Sequence, residues 1–328
     1  MNKFFFLLVI IFLCASSYKK NEEVKKQNEK PILFAEGIIS TEDDEFGATF
    51  TPDGKTCYFT MKSPSTISSS VVVICVSHFQ NGQWTAPEIA SFSGKYHDFN
   101  PCISPDGEKL FFISSRPFEN RKSADADIWM VKKTDNGWSE PENIGAPVNT
   151  KGWELGCSVA SDGTLYFSTT GISGNPDLYK SKFENGKYQK PESLGDSINS
   201  IYSETDLFIA PDQNYILFAS QGRPDGMSDA GASVSYPRGD LYISFNKDGK
   251  WTSPKNLGAD INSIAEESNP WVSHDGTTLY FTSERNFISI PMNPVLDYNS
   301  LEKSLHSTLN GLGNIYQVSV STFMNQFH

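Results

Sequence analysis

The sequence predicts an all-β fold, a β-propeller of five four-stranded blades closed by an N-terminal strand. Three observations predict it: an Asp-centred turn signature that recurs five times, an aromatic-rich strand after each turn, and a strand-like tail ahead of the first repeat. The composition agrees. Phe, Trp and Tyr make up 13% of the 328 residues, beside 24 Gly and 18 Pro, which favours short strands joined by many turns over long helices.

The turn signature reads TPDGKTCYFT (51–60), SPDGEKLFFIS (104–114), SDGTLYFST (161–169), APDQNYILFAS (210–220) and SHDGTTLYFTS (273–283), with its Asp at 53, 106, 162, 212 and 275. Asp-Gly between two apolar runs marks a tight turn, because Gly takes positive φ without a Cβ clash. Phe50, Ile103, Val159, Ile209 and Val272 stand three residues before the Asp, and Ala48, Pro101, Cys157, Leu207 and Pro270 five before it. Period two puts them on one face of an innermost strand A. After the turn, Tyr58-Phe59, Phe111-Phe112, Tyr166-Phe167, Leu217-Phe218 and Tyr280-Phe281 mark strand B. A third strand follows as VICVS (73–77), DIWMV (127–131), DLYKS (177–181), DLYIS (240–244) and NIYQV (314–318). The pairs Trp84/Pro87, Trp138/Pro141, Tyr188/Pro191 and Trp251/Pro254 lead into a fourth.

Each unit is thus a sheet with two apolar faces, and stacking such sheets around an axis buries both. Repeat 5 ends ten residues after its third strand, while 31–40 reads as a fourth-strand tail without a preceding repeat. The two chain ends are therefore expected to share the last blade. A sixth blade would have to be strongly divergent.

SPDG, the aromatic strand, an S-x-R-like end and a DIY-like third strand together resemble the PD40 repeat (WD40-like, TolB-type), over about residues 31 to 320. The resemblance implies a propeller like that of the periplasmic protein TolB. It implies little about function, because the motif residues build the blades.

Lys3, the ten apolar residues Phe4 to Leu13 and the small residues Ala15-Ser16-Ser17 are read as a signal peptide over 1–17. The apolar run is too short to span a hydrocarbon layer. Ile11-Phe12-Leu13-Cys14 is similar to a bacterial lipobox, although Leu13 stands where a small residue is expected; lipidation of Cys14 and ordinary cleavage both stay open. Residues 18–30 are charge-rich and are expected to tether a single domain over 31–328. The expected location is outside the cytoplasm, as a periplasmic protein or as an outer-membrane-associated lipoprotein anchored through Cys14. None of Cys57, Cys75, Cys102 and Cys157 lies in a C-x-x-C pair, so buried thiols are expected before a zinc site or a disulfide framework, although export leaves pairing open. The formal net charge of −12 argues against a nucleic-acid partner, whose affinity comes from clustered Lys and Arg.

Eight residues before each turn Asp stands a carboxylate: Glu45, Asp98, Glu154, Glu204 and Glu267. With strand order A-B-C-D, the D–A and B–C connections share one face, and these residues are expected to ring the channel mouth there. Strand B ends on the same face and delivers Lys62, Arg116, Arg223 and Arg285, with no counterpart in repeat 3. Converging carboxylates suit a cationic ligand or a hard cation such as calcium. The same residues also suit buried acceptors paired with those bases, and their repetition in every blade favours that architectural role. No other cofactor is expected.

The connections after Arg116, Gly222 and Arg285 are expected over the same face, the last with a short helix near 300–308. No G-x-S-x-G, H-E-x-x-H or Gly-rich phosphate loop occurs, and of the histidines only His97, beside Asp98, is placed to matter. The expected function is a non-enzymatic binding or scaffold module of the cell envelope, for a protein, peptide or glycan. The rival is a carbohydrate-active enzyme with two channel-mouth carboxylates about 5–5.5 Å or about 6.5–9.5 Å apart. Five equivalent carboxylates argue against it, because the acid and its partner need different surroundings.

Overall fold

The computed structural model describes residues 29–64, 71–118, 126–170, 174–227, 238–286, 295 and 297–327. The expected signal peptide, Cys14 and all but the last two residues of the tether lie outside these.

Five antiparallel sheets, four in sequential strand order and the last completed by the first strand of the chain, form a five-bladed propeller. Strands A to C are Asp44–Phe50, Thr56–Lys62 and Val72–Gln80 in blade 1, and Asp98–Ile103, Lys109–Ser114 and Asp127–Thr134 in blade 2. They are Glu154–Val159, Leu165–Thr170 and Pro176–Ser181 in blade 3, and Ser203–Ile209, Tyr215–Gln221 and Gly239–Lys247 in blade 4. In blade 5 they are Glu267–Val272, Thr278–Ser283 and Asn314–Ser319. The fourth strand is short. In blades 1, 2 and 4 it breaks after Trp84, Trp138 and Trp251 and resumes beyond the proline, because proline has no N–H to give the ladder.

The Asp of each tight turn is held by its own backbone. In blade 1, Asp53 Oδ1 accepts from Thr51 Oγ1 (2.6 Å) and from the Lys55 N–H (3.0 Å). Asp106 and Asp275 repeat both contacts. These bonds favour the ionised form and lower the pKa of all three.

The ring closes as expected. The outer strand of blade 5 is Ile32–Leu33, with Ile32 opposite Gln317 and Leu33 opposite Tyr316. Phe34 then lies edge-on to Phe50, Trp84 and Tyr280, filling the seam between blades 5 and 1. Gly47 N–H donates to Thr282 Oγ1 across that seam (3.1 Å), as Asn100 N–H donates to Thr60 Oγ1 between blades 1 and 2 (3.0 Å). Cys57, Cys75, Cys102 and Cys157 are buried free thiols. A helix, α1 (Tyr298–Leu305), stands in the B–C connection of blade 5, with Asp297 capping the Ser300 N–H. A last turn, α2 (Ser321–Met324), buries Phe323 against blades 4 and 5.

Candidate functional site

The five carboxylates expected around the channel mouth are all completely buried, at 0% exposure. This corrects their expected position: they sit inside their blades and not on the lumen. Each side chain folds back onto the D–A turn before it. Glu204 accepts from the Ser200 N–H (3.1 Å) and hydroxyl (2.6 Å), and Glu267 from the Ser263 N–H (2.7 Å) and hydroxyl (2.6 Å). Glu45 uses Thr41 and Glu154 uses Thr150 in the same way. Asp98, one methylene shorter, takes Ser93 instead.

Three carry the anticipated arginine: Asp98–Arg116 at 2.8 Å, Glu204–Arg223 at 2.7 Å and Glu267–Arg285 at 3.2 Å. Lys62 does not reach Glu45. It pairs with the neighbouring Asp44 at 3.1 Å, where its ammonium stays half in water. Burial pushes Glu45 and Glu154, which have no ion pair among the described residues, up to about 7. Burial also raises Asp98 and Glu267, against the pull of their arginines.

What meets at the axis lies two residues further on: Gly47, Asn100, Gly156, Asp206 and Asn269. A β-bulge interrupts strand A beside this position in every blade. The bulge turns the side chain inward. Gly47, Asn100, Asp206 and Asn269 all have positive φ, between 44° and 65°. Asn100 Nδ2 donates to Asp206 Oδ1 (3.2 Å) and to the Leu155 carbonyl (2.7 Å). Asn269 Nδ2 donates to Asp206 Oδ1 (3.1 Å) and Asn100 Oδ1 (3.0 Å). Burial, with Glu266 nearby, pushes Asp206 up to about 7. The sequence carries a sign of this layer that period two hides: Gly, Asn, Gly, Asp and Asn stand six residues before the turn Asp in the five repeats. These are the residue types that best tolerate positive φ.

Trp271 closes the channel beneath this polar layer, edge-on to Phe208 at 5.4 Å. It lines both a cavity of about 30 Å³, with Asn100, Asp206 and Asn269 in its wall, and a more apolar one of about 80 Å³ at the A–B turn end. The rim on the other end is charged. Arg238 pairs with Glu284 at 3.1 Å, and Glu266 accepts from the Gly239 N–H (2.7 Å) and Gln221 Nε2 (3.1 Å). Burial raises Glu266 and Glu284, and Glu266 raises Glu284 further. Among the described residues, no three His, Cys, Asp or Glu side chains converge to hold a metal ion.

Most of the exposed large apolar side chains belong to connections at that end. Trp153, Ile201 and Ile264 project from D–A connections, and Val71, Val295, Tyr298, Leu301, Leu305 and Leu312 from B–C connections. Residues 119–125, 228–237, 287–294 and 296 of the variable stretches after Arg116, Gly222 and Arg285 lie outside the described residues. The opposite face exposes only Phe79 and Phe183 of this kind among the described residues, and the outer strands only Ile32 and Ile89.

No protein-family model and no curated protein sequence matches the chain. Several hundred solved structures match it. One described as a glycoside hydrolase is 12% identical, covers 91% of this chain and 92% of its own, and superposes with a TM-score of 0.53. The catalytic domain of a Coprinopsis cinerea GH62 alpha-L-arabinofuranosidase is 10% identical over 89% of this chain and 97% of its own, with a TM-score of 0.49. TolB from Acinetobacter baumannii is 16% identical over 84% of this chain, with a TM-score of 0.47, and this chain spans 54% of its length. What the first of these shares with the chain is the fold.

Proposed function

We propose that the chain is an exported propeller of the PD40, TolB-type kind that binds a polypeptide across its D–A/B–C face. The observation that carries this reading is that the exposed Ile, Leu, Val, Trp and Tyr side chains among the described residues lie mostly in the connections of that one face. Exposed apolar side chains concentrated at one end of the propeller favour that end as the contact surface over the other. The occupant is read as polypeptide because the side chains are mainly aliphatic, whereas a glycan favours aromatic platforms. The net charge of −12 favours a basic partner. The five buried carboxylates serve in this reading as turn locks that hold the face rigid. Export rests on Lys3, the apolar run and the small residues after it, and predicts that protein from its native cell lacks about 13 to 17 N-terminal residues.

The double variant Ile201→Asp/Ile264→Asp tests the binding reading. Partner retained by the wild-type chain should be lost from this variant and kept by Phe79→Ser/Phe183→Ser. Equal retention by both variants would remove the face from consideration.

A carbohydrate-active role has one observation in its favour. Glu266 and Glu284 interact at the rim with raised pKa values, and a general acid needs such a carboxyl. Hydrolysis of an oligosaccharide by the wild type and not by Glu284→Gln would favour it over binding alone.

A further inference from the structure

Blades 2, 4 and 5 each hold one arginine in the same cradle. Nη2 of Arg116, Arg223 and Arg285 donates to the blade's buried carboxylate and to a backbone carbonyl six residues before it: Phe92 (3.0 Å), Ile198 (2.7 Å) and Ile261 (2.7 Å). The guanidinium carbon lies over two rings, stacked on each other in blades 4 and 5. They are Phe112 and Trp129 in blade 2 (5.0 and 5.3 Å), Phe218 and Tyr242 in blade 4 (5.7 and 5.2 Å), and Phe281 and Tyr316 in blade 5 (5.4 and 4.7 Å).

Blade 3 keeps the cradle and lacks the arginine. Its carboxylate is Glu154, and the residue six before it is Val148. Its rings are Phe167 and Tyr179, with centroids 6.1 Å apart at 29°, against 6.1 Å and 23° in blade 4 and 5.9 Å and 28° in blade 5. The sequence after strand B, Gly171-Ile172-Ser173-Gly174-Asn175, supplies no basic residue. Two further observations fit a missing cation. Glu154 Oε2 is buried without a hydrogen-bond partner among the described residues, and a lone buried acceptor is costly. Tyr179 is partly exposed, whereas Trp129, Tyr242 and Tyr316 are 7%, 0% and 4% exposed beneath their arginines. Blade 1 differs: Met61 and Cys75 take the places of the hydroxyl residue and the second ring, so among the described residues only blade 3 has the cradle without a guanidinium.

We infer that blade 3 is a binding site for a guanidinium group supplied from outside the chain, with Glu154 as its counter-ion and the partly exposed Tyr179 as its cation–π platform. Arginine suits it better than lysine, because a planar guanidinium can stack on the rings while it donates to carboxylate and carbonyl at once. The inference rests on the comparison of blades and stands apart from the docking reading above. The guanidinium can come from a small molecule or from a polypeptide.

Isothermal titration of the full mature chain tests it, with N-acetyl-arginine amide, its neutral isostere N-acetyl-citrulline amide, and the peptide acetyl-Ala-Arg-Ala-amide. Saturable binding of the arginine compounds, absent for citrulline, is expected. Glu154→Gln should weaken it by roughly tenfold or more, the loss expected for one hydrogen bond between charged groups. Tyr179→Leu, which keeps an apolar side chain, should weaken it less. Peptide binding about tenfold tighter than the amide would assign a polypeptide source, and equal binding a small-molecule source. Thermal melts check that both variants fold. Binding of citrulline as tight as arginine, no saturable binding, or binding unchanged in folded Glu154→Gln would overturn the proposal.

Discussion

Asp206 sits where three blades meet, and its two Asn donors do not cancel the cost of enclosing its charge. Folding raises its pKa from 3.8 to about 7. Between those pH values the folded chain holds more protons than the unfolded one, so this group makes stability fall as pH rises from about 4 to about 7. Glu45 and Glu154, raised from 4.5 to about 7, act in the same direction. Asp206→Asn removes one titrating group and keeps an acceptor for Asn100 and Asn269. Its melting temperature should therefore fall less than the wild type's between pH 5 and 8, by calorimetry at one ionic strength. Parallel pH profiles would show that Asp206 is ionised in the folded chain throughout. The position of Asp206 was legible as a register of Gly, Asn and Asp, but a polar residue in an alternating strand reads as outward-facing. Lys62 was misplaced for a related reason: sequence register put it near Glu45 and could not say that Asp44, one residue away, is the more accessible partner.

Strand A shows how an element departs from its pattern. Period two correctly grouped Ala48 with Phe50, Cys157 with Val159 and Leu207 with Ile209, which share clusters in the core. It failed on the other side of the bulge, where one extra residue reverses the alternation. That reversal buries the carboxylates within the blades and sends the position two residues on into the channel. Gly47 makes the point testable. Its φ is +65°, and a Cβ there would lie 2.9 Å from Asn100 Oδ1. Gly54, in the turn of the same blade, has φ +67° and open space around it. Both alanine variants strain the backbone, but only Gly47→Ala also disturbs the axial layer. In urea denaturation Gly47→Ala should cost more than Gly54→Ala, by at least about 1 kcal/mol. Equal costs would mean that the axial layer relaxes freely.

At the scale of the whole molecule the sequence was most informative, because closure follows from counting strands: five repeats, one fourth strand missing at the end and one spare at the beginning. The pairing of Ile32 and Leu33 with Tyr316 and Gln317 makes the ends of the chain one blade. A chain lacking 31–40 should lose Phe34 from the seam, expose the Asn314–Ser319 edge, melt at lower temperature and aggregate. An unchanged melting temperature would contradict closure. The exposed apolar side chains were not legible in the same way, since an Ile in a D–A connection looks like any other until the fold gathers Ile201, Ile264 and Trp153 around one rim. A photo-crosslinking amino acid placed singly at 201, 264, 79 and 183 in the native cell decides whether this rim is the contact surface. A polypeptide adduct of the same mass is predicted from 201 and 264 and none from 79 or 183. Adducts from 79 and 183 alone would contradict the claim.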